Sequence, residues 1–186
     1  MPFTPLHMGP GLLLKAILPT SFSLMVFGWA QIVMDLQPLV AMLTGRGELH
    51  GFSHTWIGAG LLALVAAVSG KYLGELGLYL IGLRSQLPIR WRAAWVGAVI
   101  GTASHVLLDS LVHADIQPLA PLSVANPLFG LLSWEAMEWF CLACGAVGAA
   151  LYPAVASRLA KHAKPCNTEA PTGHDLDTPS GNGSPR

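Results

Sequence analysis

The amino-acid sequence predicts an all-α protein: a polytopic membrane helix bundle of about four spans plus a short N-terminal half-helix. Of its 186 residues, 53% are hydrophobic and only 11% are charged, whereas a soluble globular domain typically has about 25% charged residues. Apolar runs of helix length dominate the chain, and no segment alternates convincingly with the period of two that marks a strand. The net charge of +0 gives no reason to expect a nucleic-acid partner.

Five apolar runs are the predicted helices. The first, at about 9–18, covers only about half of a bilayer core and is therefore predicted as a half-helix. The second is long enough to cross the membrane, but Pro38 should kink or break it. The four runs of spanning length lie at about 21–44, 53–70 with a more amphipathic extension to 83, 93–114 and 131–160.

The stretches between the runs predict orientation and domain boundaries. The loop at 84–92 and the segment at 158–164 carry arginine and lysine, whereas 115–130, a proline-rich segment predicted as an ordered irregular loop, carries neither. Because positive residues favour the cytoplasmic side, the loop at 115–130 is expected to face outward. Residues 162–186 are polar and rich in Pro, Gly and Ser, which predicts a disordered tail after a membrane-embedded helical domain at 1–161.

The segment SHVLLDSLVH places three ionisable residues near the end of the fourth span. His105, Asp109 and His113 follow one another at a spacing of four, so neighbours in this series share a helix face. Each such group costs roughly 2.5–3.5 kcal/mol to insert into a membrane and persists where it pairs, lines water or binds an ion. One interpretation is two or three metal ligands, since imidazole and carboxylate suit zinc, manganese and iron. The other is a hydrogen-bonded His–Asp pair that only fixes helix packing.

Two further patterns in the apolar runs concern packing. Gly97 and Gly101 precede His105 at a spacing that lets another helix approach closely. Cys141 and Cys144 form a CxxC within an apolar run, where small residues packing in a helix explain the pair better than a redox or zinc site.

Ionisable residues of other segments are expected at the same level of the membrane, because alternating spans bring their ends together at the outward side. Ser53 is expected to cap the third helix, which would put His54 in its first turn. A lone aspartate within the second span favours a function, whereas the histidines and glutamates would also suit the water boundary. The set comprises His7, Asp35, His50, His54, Glu135 and Glu138.

Five short motifs follow one another along the chain: TPLH (4–7), VMDLQP (33–38), HGFSHT (50–55), SHVLLD (104–109) and PLAPLS (118–123). In this order they resemble the membrane-bound metal-dependent hydrolase family, also described as LexA-binding, inner-membrane-associated hydrolases. The resemblance covers about residues 4–125, and the spaced set is more specific than any single motif. Gln37 stands where the family usually has a second acidic residue, and His50 is displaced by one position. Either the site has one ligand fewer or His50 substitutes.

This resemblance implies a metal-dependent hydrolase of a bacterial cytoplasmic (inner) membrane, with zinc, or else manganese or iron, as the divalent metal. Such a metal lowers the pKa of a bound water and supplies hydroxide, and Asp35 or Glu138 is the expected proton acceptor. A site near the head groups suggests a phosphoester or another ester of an amphiphilic substrate, with membrane lipid as the surrounding partner. The expected ligands are His7, Asp35, His54, His105 and Asp109, with His50, His113 and Glu138 in reserve.

Two other classes of function stay open, as does the oligomeric state. An ion- or proton-coupled transporter would use the same His and Asp residues, but it needs polar residues through the inner half of the bundle, where few are found. A non-catalytic membrane scaffold would use a structural His/Asp site closed to water, whereas an enzyme needs an open coordination position.

Overall fold

The structure, a computed structural model, describes residues 5–162, and every regular element in that range is helical. Four helices are long and apolar enough to cross a membrane, and a short apolar helix precedes them. This confirms the predicted fold class and indicates an integral membrane protein. The predicted tail lies outside the described residues from 163 onward. The helices are α1 (Met8–Ile17), α2 (Leu24–Thr44), α3 (Trp56–Leu80), α4 (Trp91–Val112) and α5 (Trp134–His162), with single 3-10 turns at Pro5–His7, Phe52–His54 and Arg84–Gln86.

The start of α3 differs from the prediction, because Thr55 and not Ser53 is its N-cap. The hydroxyl of Thr55 accepts a hydrogen bond of 2.9 Å from the backbone N–H of Gly58. Both residues have a hydroxyl suited to capping, but the backbone of His54 is folded into the preceding turn, where its N–H donates to the carbonyl of Gly51. His54 therefore lies just before the helix rather than in its first turn.

The helix α2 continues through Pro38, so the break that the proline predicted does not occur. A proline inside a helix removes one backbone hydrogen bond, and the bonds on either side suffice to continue the helix here. The hydroxyl of Ser23 caps the N-terminus of α2 by accepting from the backbone N–H of Val26. At the other end, Gly45 terminates the helix in the left-handed region, with φ of +64°, which favours glycine.

The helices α2, α3 and α4 pack together through small residues. A Cβ added to Gly101 would lie 2.7 Å from the Cβ of Ala30, and one added to Gly97 would lie 2.7 Å from the carbonyl oxygen of Ser23. The close approach that the glycine spacing predicted is therefore confirmed, and it joins α4 to α2. Buried alanines fill much of the remaining interface, among them Ala66, Ala67, Ala94 and Ala98.

The short helix α1 packs against α5. A Cβ added to Gly9 would overlap the carbonyl oxygen of Cys141, and one added to Gly148 would overlap the backbone of Leu13. Cys141 and Cys144 are free thiols in this helix pair, in agreement with the packing interpretation. This contact holds α1, and the turn that precedes it, against the bundle.

The segment between α4 and α5 folds back over the end of the bundle. The side-chain amide of Asn126 donates to the carbonyls of Ser110 and His113 at 2.9 and 3.1 Å. The carbonyl of Pro118 accepts a bond of 2.9 Å from the backbone N–H of Trp56. The predicted irregular loop therefore covers the end of the bundle at which α3 begins and α4 ends.

Candidate metal centre

Five predicted ligands, from four separate segments, meet inside the bundle. His7 ends the turn before α1, Asp35 lies in the middle of α2, and His54 ends the turn before α3. His105 and Asp109 are four residues apart in α4. Each of the five is at most 7% exposed. Burial of five ionisable side chains is costly unless they pair or bind an ion.

Three donor atoms form a nearly equilateral triangle: Nε2 of His54, Nε2 of His105 and Oδ2 of Asp109. The two nitrogens are 3.3 Å apart, and Oδ2 lies 3.2 Å from His105 and 3.5 Å from His54. Charge-assisted N–H···O hydrogen bonds are usually about 2.7–2.9 Å long. Two ligands at about 2.0–2.1 Å from a tetrahedral zinc ion lie roughly 3.3–3.4 Å apart. The triangle therefore matches ligands of one ion better than a set of hydrogen bonds.

Asp35 and His7 flank this triangle. Oδ1 of Asp35 lies 3.3 Å from Nε2 of His105, and Nε2 of His7 lies 3.5 Å from Oδ1 of Asp109. Nε2 of His7 is buried and has no hydrogen-bond partner among the residues described, a condition that costs free energy unless an ion or ligand binds there. Three trios of donor atoms here lie close enough to hold a metal ion: His7 with His105 and Asp109, Asp35 with His54 and His105, and His50 with His54 and Asp109.

Hydrogen bonds on the far ring nitrogens orient the two imidazoles of the triangle. Nδ1 of His105 lies 2.6 Å from Oε1 of Gln31, whose Nε2 donates to the carbonyl of Gly101. Because an amide oxygen only accepts, His105 donates from Nδ1 and presents the lone pair of Nε2 to the triangle. Nδ1 of His54 lies 2.9 Å from the hydroxyl of Ser53. Metal-binding histidines typically have such a partner on the second nitrogen.

Burial also favours the protonation state that binds metals. It lowers the pKa of His7 and of His54, because desolvation disfavours the charged imidazolium. The neutral imidazole is the form that coordinates a metal. Burial therefore favours neutral side chains at His7 and His54, the form in which a histidine binds a cation.

Gln37 positions the turn that carries His54. Its Oε1 accepts a hydrogen bond of 2.8 Å from the backbone N–H of Ser53. Its Nε2 lies so close to Gly51 that an added Cβ there would be 2.0 Å away. Gln37 thus connects the middle of α2 to the segment before α3.

A second group of potential ligands lies nearer the surface and consists of His50, His113 and Asp115. Nδ1 of His50 lies 2.7 Å from Oδ2 of Asp115, and its ring centroid is 4.9 Å from that of His54 and 4.6 Å from that of His113. Partial burial acts to raise the pKa of Asp115, but the hydrogen bond and the charge interaction with His50, together with smaller contributions, lower the pKa overall. Of the predicted reserve ligands, His113 therefore belongs to an outer group, whereas His50 joins that group to the triangle, since its donor atom could also hold a metal ion with those of His54 and Asp109.

Glu138 lies beside the outer group rather than at the triangle. Its Oε1 accepts a hydrogen bond of 2.9 Å from Nε1 of Trp134, and the Trp134 ring contacts that of His113, with centroids 5.5 Å apart. Glu135 is exposed. Within residues 5–162, neither glutamate belongs to a group whose donor atoms could hold a metal. Of the two predicted proton acceptors, Asp35 is therefore the one next to the potential ligands.

Gln31 and Asp115 contact potential ligands in the structure, but the sequence patterns did not predict them as site residues. Gln31 precedes Asp35 by four residues and so shares its helix face, which was the available signal. Asp115 follows His113 within a loop, and only the folding of that loop brings it to His50.

A cavity of about 470 Å³ borders the cluster between α1, α2 and α3. The residues that line it include His7, Gln31 and Asp35. Asp35 and His7 thus contact the triangle and the cavity at once, and a molecule bound in the cavity would reach them.

No protein-family model, no curated protein and no solved structure matches this chain. The family resemblance seen in the motifs therefore stays a prediction, and a function has to be argued from the residues of the site.

Proposed function

We propose that the protein is a membrane-embedded, metal-dependent hydrolase that cleaves an ester or phosphoester of an amphiphilic substrate. The triangle of donor atoms from His54, His105 and Asp109 carries the proposal. Catalytic zinc sites typically have three protein ligands and an open position, whereas structural sites are closed by four. Zinc is the metal we favour, and manganese and iron accept the same ligand types.

The bound metal and the residues around the triangle would have separate roles in hydrolysis. When bound, the metal would lower the pKa of water towards neutrality and polarise the oxygen of the scissile group. Asp35 contacts both His105 and the cavity, so its carboxylate is placed to accept a proton next to a bound substrate. Nε2 of His7, which has no hydrogen-bond partner among the described residues and lies 3.5 Å from Oδ1 of Asp109, would contact a substrate oxygen.

The position of the site supports an amphiphilic substrate. The cluster lies within a membrane-embedded bundle, below the loop that covers its end, and the outer group of His50, His113 and Asp115 connects it to the surface. A molecule with its polar group at this depth would keep its apolar part in the bilayer. Following the family resemblance, we place the protein in a bacterial cytoplasmic membrane.

A transporter is less well supported, because its polar groups would need to continue through the bundle. Among residues 5–162, the buried polar side chains on the side away from the cluster stop at Gln31 and Thr102, apart from Ser23, which caps α2. Beyond that level, α2 and α4 meet through alanine and glycine. A purely structural metal would not need the cavity that borders the cluster.

Asp35→Asn separates metal binding from catalysis. The substitution preserves size but removes the proton acceptor, so zinc content should stay near that of the wild type while kcat falls about 10²–10⁴-fold. Two fluorogenic acylglycerol derivatives in mixed micelles serve as substrates, one a carboxylic ester and the other a phosphodiester. The measurement is the rate of product release from each, and zinc is assayed in the same samples. Glu135→Gln, at an exposed carboxylate outside every group of potential ligands among the described residues, is the matched control and should retain both zinc and turnover.

Two results would contradict the proposal. One is zinc-loaded wild-type protein that releases no product from either derivative. The other is Asp35→Asn protein with full kcat, which would show that the carboxylate beside the cavity takes no part in the chemistry.

A further inference from the structure

The cavity beside the cluster is extended along α2 and polar near one end. Its lining residues on this helix run from Leu24 to Asp35, a distance of roughly 16 Å at the rise of an α-helix. The end near Asp35 also contains His7 and Gln31. The remaining walls are apolar, with contributions from Met8, Leu24, Met25 and Leu73.

The apolar length of the cavity suits hydrocarbon rather than a polar ligand. Trp29 has a polar atom there, but its Nε1 already donates to the hydroxyl of Ser69 at 2.9 Å. A polar ligand placed along these walls would lose its hydrogen bonds to water without replacement. A hydrocarbon chain would lose nothing and would bury apolar surface.

The cavity is bordered by residues on the lateral surface of the bundle. Ile32 on α2 is 39% exposed and Leu73 on α3 is 44% exposed, although both helices are long and apolar enough to span a membrane. In a bilayer these surfaces face lipid tails. A chain could therefore enter from the side without passing through water.

We infer that this cavity binds an acyl chain of a bilayer lipid, with the uncharged carboxylic ester at the head of that chain next to Asp35 and His7. A free fatty acid fits less well, because its carboxylate would lie against that of Asp35. The inference depends on the proposed function for what happens to the lipid afterwards, but the binding of the chain requires no metal.

Gly28→Leu tests the inference, because Gly28 lines the cavity. A Cβ added there would meet the flexible end of Met8 at 3.2 Å, so the larger side chain would occupy the space of the ligand. The matched control is Gly60→Leu in α3, where an added Cβ meets no atom within 4 Å. The probe is a phosphatidylethanolamine with a diazirine in the middle of one acyl chain, diluted into phosphatidylcholine nanodiscs that contain the metal-free full chain.

Irradiation and peptide mass spectrometry should show labelling of Met8 and Met25 in the wild type. Labelling of these residues should fall about fivefold or more in Gly28→Leu, because the added side chain overfills the space, and should not change in Gly60→Leu. Equal labelling in the two variants, or wild-type labels confined to outward residues such as Val65, would overturn the inference. So would a diazirine fatty acid that labels the cavity as well as the phospholipid does.

Leu73→Trp is a second variant, chosen because its exposed position tolerates a larger ring if Gly28→Leu fails to fold. It should lower the same labelling, whereas Leu64→Trp, exposed on the same helix, should not. Cavity labelling without turnover of the zinc-loaded protein would support this inference and contradict the proposed function. Turnover without cavity labelling would support the proposed function and overturn this inference.

Discussion

Two uncharged side chains determine where the imidazoles of the triangle point. The carbonyl oxygen of Gln31 accepts from Nδ1 of His105, and the hydroxyl of Ser53 contacts Nδ1 of His54. Each contact leaves Nε2 directed at the centre of the cluster. Ligand geometry thus depends on residues that would never coordinate the metal themselves.

Gln31→Met tests this dependence. It keeps the side-chain volume but removes the bond to His105, so the ring loses its fixed tautomer and orientation. Zinc affinity should fall about 10–100-fold, as is typical when a ligand loses its hydrogen-bond partner. Competition with a chromophoric chelator measures the affinity.

Ser69→Ala is the control for Gln31→Met. It removes the hydrogen bond that Trp29 donates between α2 and α3, away from the cluster, and should leave zinc affinity unchanged. Equal affinities for Gln31→Met and Ser69→Ala would show that the Gln31 amide does not orient a ligand.

The cost of burying charge explains which site residues the sequence could reveal. Ionisable residues in apolar runs stand out because they need a partner or an ion. Gln31 is uncharged and did not stand out, and Asp115 lies in a polar loop where a carboxylate is ordinary. The five residues that were predicted and that meet in the structure are His7, Asp35, His54, His105 and Asp109.

On the helix α4, one line of residues at a spacing of four serves both helix packing and metal binding. Gly97, Gly101, His105 and Asp109 follow at intervals of four residues, and the two glycines bring the backbone of α4 against α2. This close approach is what lets Asp35 of α2 reach within 3.3 Å of His105.

Gly101→Ala should therefore destabilise the protein. The added Cβ would lie 2.7 Å from that of Ala30 and 3.1 Å from the carbonyl oxygen of Phe27, so the helices must separate, at a cost of about 1–3 kcal/mol. The free energy of unfolding in mixed detergent micelles measures the effect. In Gly60→Ala the new methyl group has open space, and the higher helix propensity of alanine should raise the free energy of unfolding by up to about 1 kcal/mol. A Gly101→Ala protein as stable as Gly60→Ala would contradict the packing.

Helix existence was predictable from apolar length, but local backbone choices were not. Ser53 and Thr55 both have a hydroxyl near the start of α3, and only the turn at Phe52–His54 selects Thr55 as the cap. Pro38 lies inside a long helix whose neighbouring turns continue past it, so of the kink or break that it predicted, the break does not occur. In both cases packing, rather than the local signal, decides the backbone.

For the whole molecule, alternating spans explain why the site forms. The C-terminal part of α2, the start of α3 and the end of α4 meet at one end of the bundle, as the sequence predicted for their ionisable residues. Packing of α1 on α5 adds His7 to them. Which side of the membrane this end faces stays a prediction, based on arginines in the loop at 84–92 and their absence from 115–130. The cavity was not predictable, because it results from how α1, α2 and α3 fit together.

Metal content is the most direct test of the central claim, that separate helices gather ligands around one ion. Wild-type protein equilibrated with zinc and freed of excess should hold at least one zinc ion per chain by elemental analysis. His105→Ala and Asp109→Asn should hold none while keeping the helical circular dichroism of the wild type, and Glu135→Gln, at an exposed carboxylate, should retain the ion. Wild-type protein that holds no zinc, or His105→Ala and Asp109→Asn proteins that hold as much as the wild type, would contradict the account.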